Sequence, residues 1–521
     1  MTGGEALVAG LAAHGVDTVF GIPGTHSLPI YPYLRKYRIR HVLTRHEQGA
    51  GYAADGYARV SGRPGVVLTT TGPAILNAVA AAAQAYSDSV PVLFVSPAMP
   101  VDHPGRGNGL LHEVKDQRAA MAAVTAGSHR VRSVGEIPVA VAQAFADLRT
   151  GRPRPRHLDL PLDLLDRSED VRAVRPIHVA VTPPDGKSIG AAAGILAAAR
   201  RPGVIVGGGV RHAADELRRL VELLQAPVIS STNGKGILPY DHPLSLGAGL
   251  HRAAVRDFVE DCDVVLAIGT ELAPADLFYG GLTFSGKLIR VDVDPAQLLT
   301  NASPDLSIVA DASIALDALS ATLQPKGSQR ERADSWRRRV GDQARTEGSR
   351  WLSIVDGIAS AIGRSGVVAA DNAMVCYYGA LSNLPGYRPG CFLFPTGLGT
   401  LGYGLPAAIG AKLAEPDTPV VAIEGDGGLM FSVAELATAA QLRLPLPVVV
   451  VDNGGYGEIR REMAERGDPV HAVDLDRPDF PALATALGCH GVSAGGDIGP
   501  LVATALAADR PTLIHVRDDA G

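Results

Sequence analysis

The sequence predicts an α/β fold made of three doubly wound parallel-sheet domains, and three observations carry that prediction. Short β-branched runs alternate with segments of helical spacing, the pattern of βα units whose parallel strands are covered on both faces. A length of 521 residues suits about three domains of ordinary size. Glycine-rich turns close strand after strand, at the carboxyl edge where open α/β sheets hold ligands. The expected domains are 1–165, 186–325 and 350–521, joined by a polar, proline-bearing stretch at 166–188 and a strongly charged one at 326–350.

In the first domain a helix is expected over Glu5–His14, then strands Thr18–Phe20 and His41–Thr44 and a helix opening at Glu47. Strand Gly65–Thr70, helix Ala74–Tyr86 and strand Pro91–Ser96 follow. The middle domain repeats the scheme: strand Gly203–Val206, a GGGV turn, helix Ala213–Leu224, strand Pro227–Ser230, a helix at 252–260, and strands Asp263–Ile268 and Lys287–Val293. Its turn does not fit GxGxxG, and no acidic residue closes a strand at the distance a dinucleotide site needs, so a structural role is expected there. The charged stretch reads as a solvated helix. The last domain opens with a helix at 351–362 and strand Gly366–Ala370.

The most informative stretch is Val420–Tyr456. Val420–Glu424 is a short apolar strand ending on Gly425-Asp426-Gly427-Gly428, and Phe431–Leu444 carries helical spacing. Pro445 and Pro447 stop that helix, and Pro447–Val451 is a second buried strand. Parallel strands end on one edge, which brings Asp426 beside Asn453. One carboxylate, one amide oxygen and free backbone groups suit a small hard cation. Turn N–H groups on Gly427, Gly428, Gly455 and Gly457 suit the phosphates such a cation carries. In the first domain Glu47 falls on the equivalent edge, where the plain reading is a first-turn glutamate favoured by the helix dipole.

Other function classes find little support. A net charge of −6 gives no electrostatic case for nucleic acid or an anionic membrane. Apolar stretches are broken by Gly, Pro or charge, so no spanning helix is expected. The first residues read as an amphipathic helix and not as a signal peptide. Cys262, Cys376, Cys391 and Cys489 are scattered without CxxC spacing, which suits a reducing cytoplasm.

GDG followed, after strand–helix–strand spacing, by DNGG resembles the thiamine diphosphate motif. RHEQGAGYAADGYAR, with FGIPG before it and TTTGPAILNAVAAAAQAYSDSVPVLFVS after it, resembles the pyrimidine-binding domain of the acetolactate synthase and 2-oxo acid decarboxylase family. The resemblance implies a pyrimidine-binding first domain, a central second and a diphosphate- and Mg2+-binding third, with thiamine diphosphate and Mg2+ as cofactors. It makes Glu47 the catalytic residue and assigns Asp426, Asn453 and the Gly455 carbonyl to the metal. Asn77, Asn372, Ala373, Gly397, Gly399, Leu401, Gly427, Gly428, Tyr456 and Gly457 would contact the cofactor, Leu401 propping it into a bent shape. Thr25, His26, His112, Glu113, Glu458 and Ile459 are the substrate-side candidates. Three departures stand out, the first being Thr70 and the lack of a consecutive His pair near Glu113, so that the histidines used by pyruvate and benzoylformate decarboxylases are not found at the matching positions. Asp452 replaces the usual first Asn and is expected to face away from the diphosphate, and Ala74 replaces a usual Gly.

The whole chain resembles flavin-free, acetolactate synthase-like members most, and FAD is not expected. The implied reaction is decarboxylation of a 2-oxo acid through an enamine, releasing CO2 and an aldehyde. A carboligase of the acetolactate synthase type is the alternative, and an inactive cofactor-binding regulatory protein is the alternative of another class. Some relatives act on 5-guanidino-2-oxopentanoate. A guanidinium substrate would need a pocket acid, with Glu458 and Glu113 as candidates. The resemblance also implies a cytoplasmic homodimer or homotetramer whose partner is a small-molecule 2-oxo acid.

Overall fold

The computed structural model describes residues 1–177, 179–181 and 183–519. Within the expected linker at 166–188, His178 and Thr182 lie outside the described residues, as do Ala520 and Gly521 at the end of the last domain. The described chain forms three parallel six-stranded sheets flanked by helices.

The first sheet contains β1 (Thr18–Gly21), β2 (Arg40–Leu43), β3 (Gly65–Leu68), β4 (Val92–Ala98), β5 (Ser128–Arg130) and β6 (Arg156–Pro161) in the order β2-β1-β3-β4-β6-β5. The second contains β7 (Pro202–Val206), β8 (Val228–Ser230), β9 (Ser245–Ala248), β10 (Val264–Ile268), β11 (Lys287–Asp292) and β12 (Leu306–Val309) in the order β12-β11-β10-β7-β8-β9. The third contains β13 (Val367–Ala370), β14 (Phe392–Leu393), β15 (Val420–Gly425), β16 (Pro447–Asp452), β17 (His490–Ser493) and β18 (Thr512–Arg517) in the order β14-β13-β15-β16-β18-β17. Counted from their own first strands, the first and third sheets share one order. The middle sheet has the order of a dinucleotide fold, with its reversal between β7 and β10. Asp292 closes β11 there and is pushed toward protonation by burial, so an acidic strand end exists where the sequence suggested none.

The first and third domains share one core. Phe20, Tyr52 and Phe94 from the front pack in the same apolar cluster as Leu405, Ile409 and Val448 from the rear. At its centre the helix Glu47–Ser61 lies against the helix Gly404–Ala414. Small residues set their spacing: a Cβ on Gly56 would strike the Ala407 backbone, and one on Gly410 the Ala53 backbone.

A buried cation ties in the middle domain. Arg59, 1% exposed in its side chain, donates to Asp55 (2.6 Å), Asp88 (2.8 Å) and Asn233 Oδ1 (2.8 Å). Asp55 also accepts from Tyr403 Oη at 2.6 Å. Asp88 accepts from the Gly397 and Thr396 N–H groups at 2.9 and 3.2 Å. Both acids hold the Arg59 guanidinium well above its ordinary pKa against the cost of burial.

Several expected boundaries move. The helix expected over Phe431–Leu444 shrinks to Glu435–Gln441, because residues 431–437 are wound by i→i+3 bonds and Arg443 takes a left-handed φ of 51°. The helix expected over Ala74–Tyr86 divides into Pro73–Asn77 and Val79–Ser87. The charged stretch forms the helix Arg330–Glu347, but it buries Ala333, Val340 and Ala344 and so packs along one face. Among the described residues no helix is long and apolar enough to cross a membrane.

Replacing Arg59 with Met strands two buried carboxylates. We expect a loss of about 3–5 kcal/mol, read as a lower urea midpoint, with Arg59→Lys recovering part of it. An unchanged midpoint in Arg59→Met would show that the ion cluster does not hold the domains together.

Candidate active site

β15 and β16 pair in register with Gly425 beside Val451, so their carboxyl ends share one edge of the third sheet. A cavity of about 590 Å3 opens there, lined by Asp426, Gly427, Gly428, Asn453, Gly455, Tyr456 and Gly457. Asp426 opens the helical turn Asp426–Leu429 and is buried. Burial and then the Asp452 charge push its carboxyl up, against backbone N–H groups that favour the anion. Asn453 Oδ1 is buried without a partner, and its Nδ2 reaches only Met374 Sδ at 3.8 Å. An orphaned amide oxygen beside a buried carboxylate is an unfilled demand for a positive ligand.

The glycines leave room at this edge. A Cβ on Gly427 would sit 2.9 Å from the Tyr456 ring, and one on Gly428 2.7 Å from Asp371 Oδ2. On Gly457 it would collide with the Asn453 amide. Gly455 has a φ of 137°, which side-chain-bearing residues rarely adopt. These residues fit a hard cation and the phosphates it carries. Asp452 does not line the cavity. Its carboxylate is held by His515 (2.9 Å), Arg477 (3.0 Å) and the Gly454 N–H (3.0 Å), the outward placement the sequence suggested.

Asn372, Ala373, Gly399, Leu401, Glu458 and Ile459 line the same cavity. Asn372 Nδ2 donates to the Thr400 carbonyl at 2.7 Å and so fixes the loop that carries Leu401. Gly397 departs from expectation. Its N–H is bound by Asp88, and it lines a separate cavity of about 440 Å3 at the reversal of the middle sheet, with Gly208, Arg211 and Asp292.

The front-half residues form a second group. Glu47 is the first residue of its helix, capped by His46, and accepts from Asn77 Nδ2 at 2.9 Å. The loop before it is pinned to the third domain, since Glu435 Oε1 accepts from the Arg45 and His46 N–H groups at 3.0 Å each. His26 bonds Thr71 at 3.0 Å, and its ring stands edge-on to His112 at 5.1 Å. Burial, then His112, lowers the His26 pKa. Thr25 begins the turn Thr25–Ser27 beside it. Within one chain none of Glu47, Asn77, Thr25, His26 or His112 lines the cavity that holds Asp426. The Glu113 carboxylate accepts from the Asn108 and Gly109 N–H groups at 3.0 Å each and lies 3.3 Å from His103.

Sequence reasoning missed the aromatic wall of the cavity. Phe278 and Tyr279 arrive from the middle domain, and Trp351, Tyr377 and Tyr378 from the third. The adjacent tyrosines were the one available signal.

Three family models match the chain: thiamine pyrophosphate enzyme, N-terminal TPP binding domain, over residues 1–122; the central domain over 189–319; and the C-terminal TPP binding domain over 373–516. A Pseudomonas aeruginosa protein named "Probable 2-ketoarginine decarboxylase" is 42% identical over 497 residues, covering 94% of this chain and 89% of that protein. A "Probable acetolactate synthase large subunit" of Methanocaldococcus jannaschii is 34% identical, covering 96% of this chain and 88% of its own. The acetolactate synthase isozyme 2 large subunit of Escherichia coli is 33% identical over 100% of this chain and 96% of its own. With three matching domain models and relatives spanning nearly its whole length, the chain belongs to the thiamine diphosphate-dependent, acetolactate synthase-like enzyme family.

Proposed function

We propose that the protein is a thiamine diphosphate-dependent decarboxylase of a 2-oxo acid, releasing CO2 and an aldehyde. The observation that carries this reading is the buried, unpartnered Asn453 Oδ1 beside Asp426 at the edge of a cavity walled by cofactor-sized free space. Asp426, Asn453 and the Gly455 carbonyl would hold Mg2+, and the Gly427, Gly428 and Gly457 backbone the diphosphate. Leu401 would support the cofactor from below. When bound, the thiazolium supplies the sink for the electron pair left as CO2 departs. Glu47 would hold a proton at the pyrimidine ring nitrogen, with Asn77 keeping its carboxylate in place. The name of the Pseudomonas relative makes 2-ketoarginine the first acid to try.

Glu47 and Asp426 do not share a cavity in one chain, so a second copy would bring its Glu47 to this chain's Asp426. A homodimer or homotetramer is the assembly this requires. Four unpaired, buried cysteines support a cytoplasmic location. The acetolactate synthases at 33–34% identity favour a second reading, in which the intermediate joins another carbonyl compound. Product mass with and without an added aldehyde or 2-oxo acid separates the two. A regulatory protein without turnover has less support, since Glu47, Asp426 and Asn453 are all retained.

Glu47→Gln should lower CO2 release by about 10²–10⁴-fold, the usual contribution of a positioned acid–base group, while cofactor still binds. Unchanged turnover would remove the proposed starting step. Asn453→Ala should weaken Mg2+-dependent cofactor binding in calorimetry, and chelation of the metal should abolish it in the parent protein. Mixing Glu47→Gln with Asn453→Ala chains, each inactive alone, should restore about a quarter of the parent activity if sites are shared between copies. No recovery after verified subunit exchange would place each site within one chain.

A further inference from the structure

Tyr378 lies at the centre of the aromatic wall of the cavity of about 590 Å3. Trp351 stacks alongside it at 6.1 Å and 18°, while Tyr377 and Phe278 stand edge-on at 5.1 and 6.3 Å. Rings disposed this way present π-faces and exclude water, and such a box favours an organic cation. Glu458, Glu462 and Asp518 line the cavity beside it. Glu458 Oε1 accepts from Tyr378 Oη at 2.8 Å and pairs with Arg461, while Glu458 Oε2 is buried without any partner. Asp518, on the same wall, is already satisfied by Arg350 (2.7 Å) and by Trp351 Nε1 (2.9 Å).

The present occupant of this box is a guanidinium that belongs to the protein. The Arg461 guanidinium lies 5.0 Å from the Tyr378 ring centre, and its Nη2 donates to Tyr378 Oη at 2.5 Å and to Glu458 Oε1. It uses Nη2 for both bonds, its Nε lies 3.7 Å from Glu465 Oε1, and Glu458 Oε2 is left unmet, so Glu458 does not receive the two-pronged contact a planar guanidinium can give. Arg461 stands on the helix Gly457–Arg466, none of whose residues is buried, and its own side chain is 42% exposed. An ion pair this exposed is a weak hold. A free guanidinium entering along the cavity could meet both oxygens of Glu458 and take the same ring.

We propose that Glu458 and the ring of Tyr378 select a 2-oxo acid whose side chain ends in a guanidinium, and that Arg461 is an internal stand-in which the substrate displaces. This rests on the decarboxylase reading above. It makes Glu458 a specificity residue and Arg461 an intramolecular competitor, so that removing each should move substrate affinity in opposite directions.

The test uses the cofactor-loaded enzyme and two acids of equal length, 5-guanidino-2-oxopentanoate and its neutral ureido isostere. The parent enzyme should prefer the cation in kcat/KM. Glu458→Gln should raise KM for the guanidino acid by about tenfold or more, the worth of a charge-assisted hydrogen bond, and leave the ureido acid little changed. Arg461→Met, which keeps the apolar stem, should lower KM for the guanidino acid by about two- to fivefold, the strength of a half-exposed pair. A parent enzyme that treats both acids alike, or a higher KM in Arg461→Met, overturns the proposal. Butylguanidinium binding to cofactor-free protein, followed by calorimetry, separates this from failure of the decarboxylase reading. If no 2-oxo acid is turned over, the activity reading falls, and binding weakened by Glu458→Gln but tightened by Arg461→Met still upholds the chamber. Equal binding by all three proteins, each with an unaltered melting profile, rejects it.

Discussion

A buried guanidinium, that of Arg59, is the interaction that links side chains and loops of all three domains. It carries full charge where almost no water reaches it, and the carboxylates of Asp55 and Asp88 compensate the desolvation. Each partner then reaches further. Asp55 holds Tyr403 at the head of the Gly404–Ala414 helix, Asn233 brings in the middle domain, and Asp88 grips the loop at Thr396 and Gly397. That loop runs on to Leu401 in the cavity wall. The position of Leu401 is thus tied to a charge that does not itself line the cavity.

The same economy appears at the sheet edge. Parallel pairing of β15 and β16 places Asp426 and Asn453 together without any contact between their side chains being needed to hold them. This leaves one carboxylate costly to ionise and one amide oxygen without a donor, two defects that a bound cation would relieve together. Asp452, one residue from Asn453, shows how the chain manages a second acid at that edge. It spends its charge on Arg477 and His515 instead of on the cavity.

Where local pattern and final structure coincide, the sequence was readable. The glycine turn at Gly425–Gly428, the β-branched strand at 447–452 and Glu47 at a helix start all follow from periodicity and turn chemistry. Where the outcome depends on distant partners, it was not. The helix start expected at Phe431 fails because i→i+3 turns occupy its place, and Glu435 spends its carboxylate on Arg45 and His46 across the domain boundary. Glu113 binds two N–H groups of its own loop, contacts that no spacing in the sequence announces. Gly397 sits inside a matching motif, yet Asp88, 309 positions away, turns its N–H from the cavity. The aromatic wall draws on positions 278, 351, 377 and 378, and no spacing rule joins them.

The repeated strand order of the outer two sheets has an architectural consequence. Two modules of one topology share a common apolar core, with a differently ordered module inserted between them along the chain. The glycine-packed pair of helices Glu47–Ser61 and Gly404–Ala414 is then the seam at which the two outer modules meet, and its closeness leaves no room for a side chain at Gly56 or Gly410.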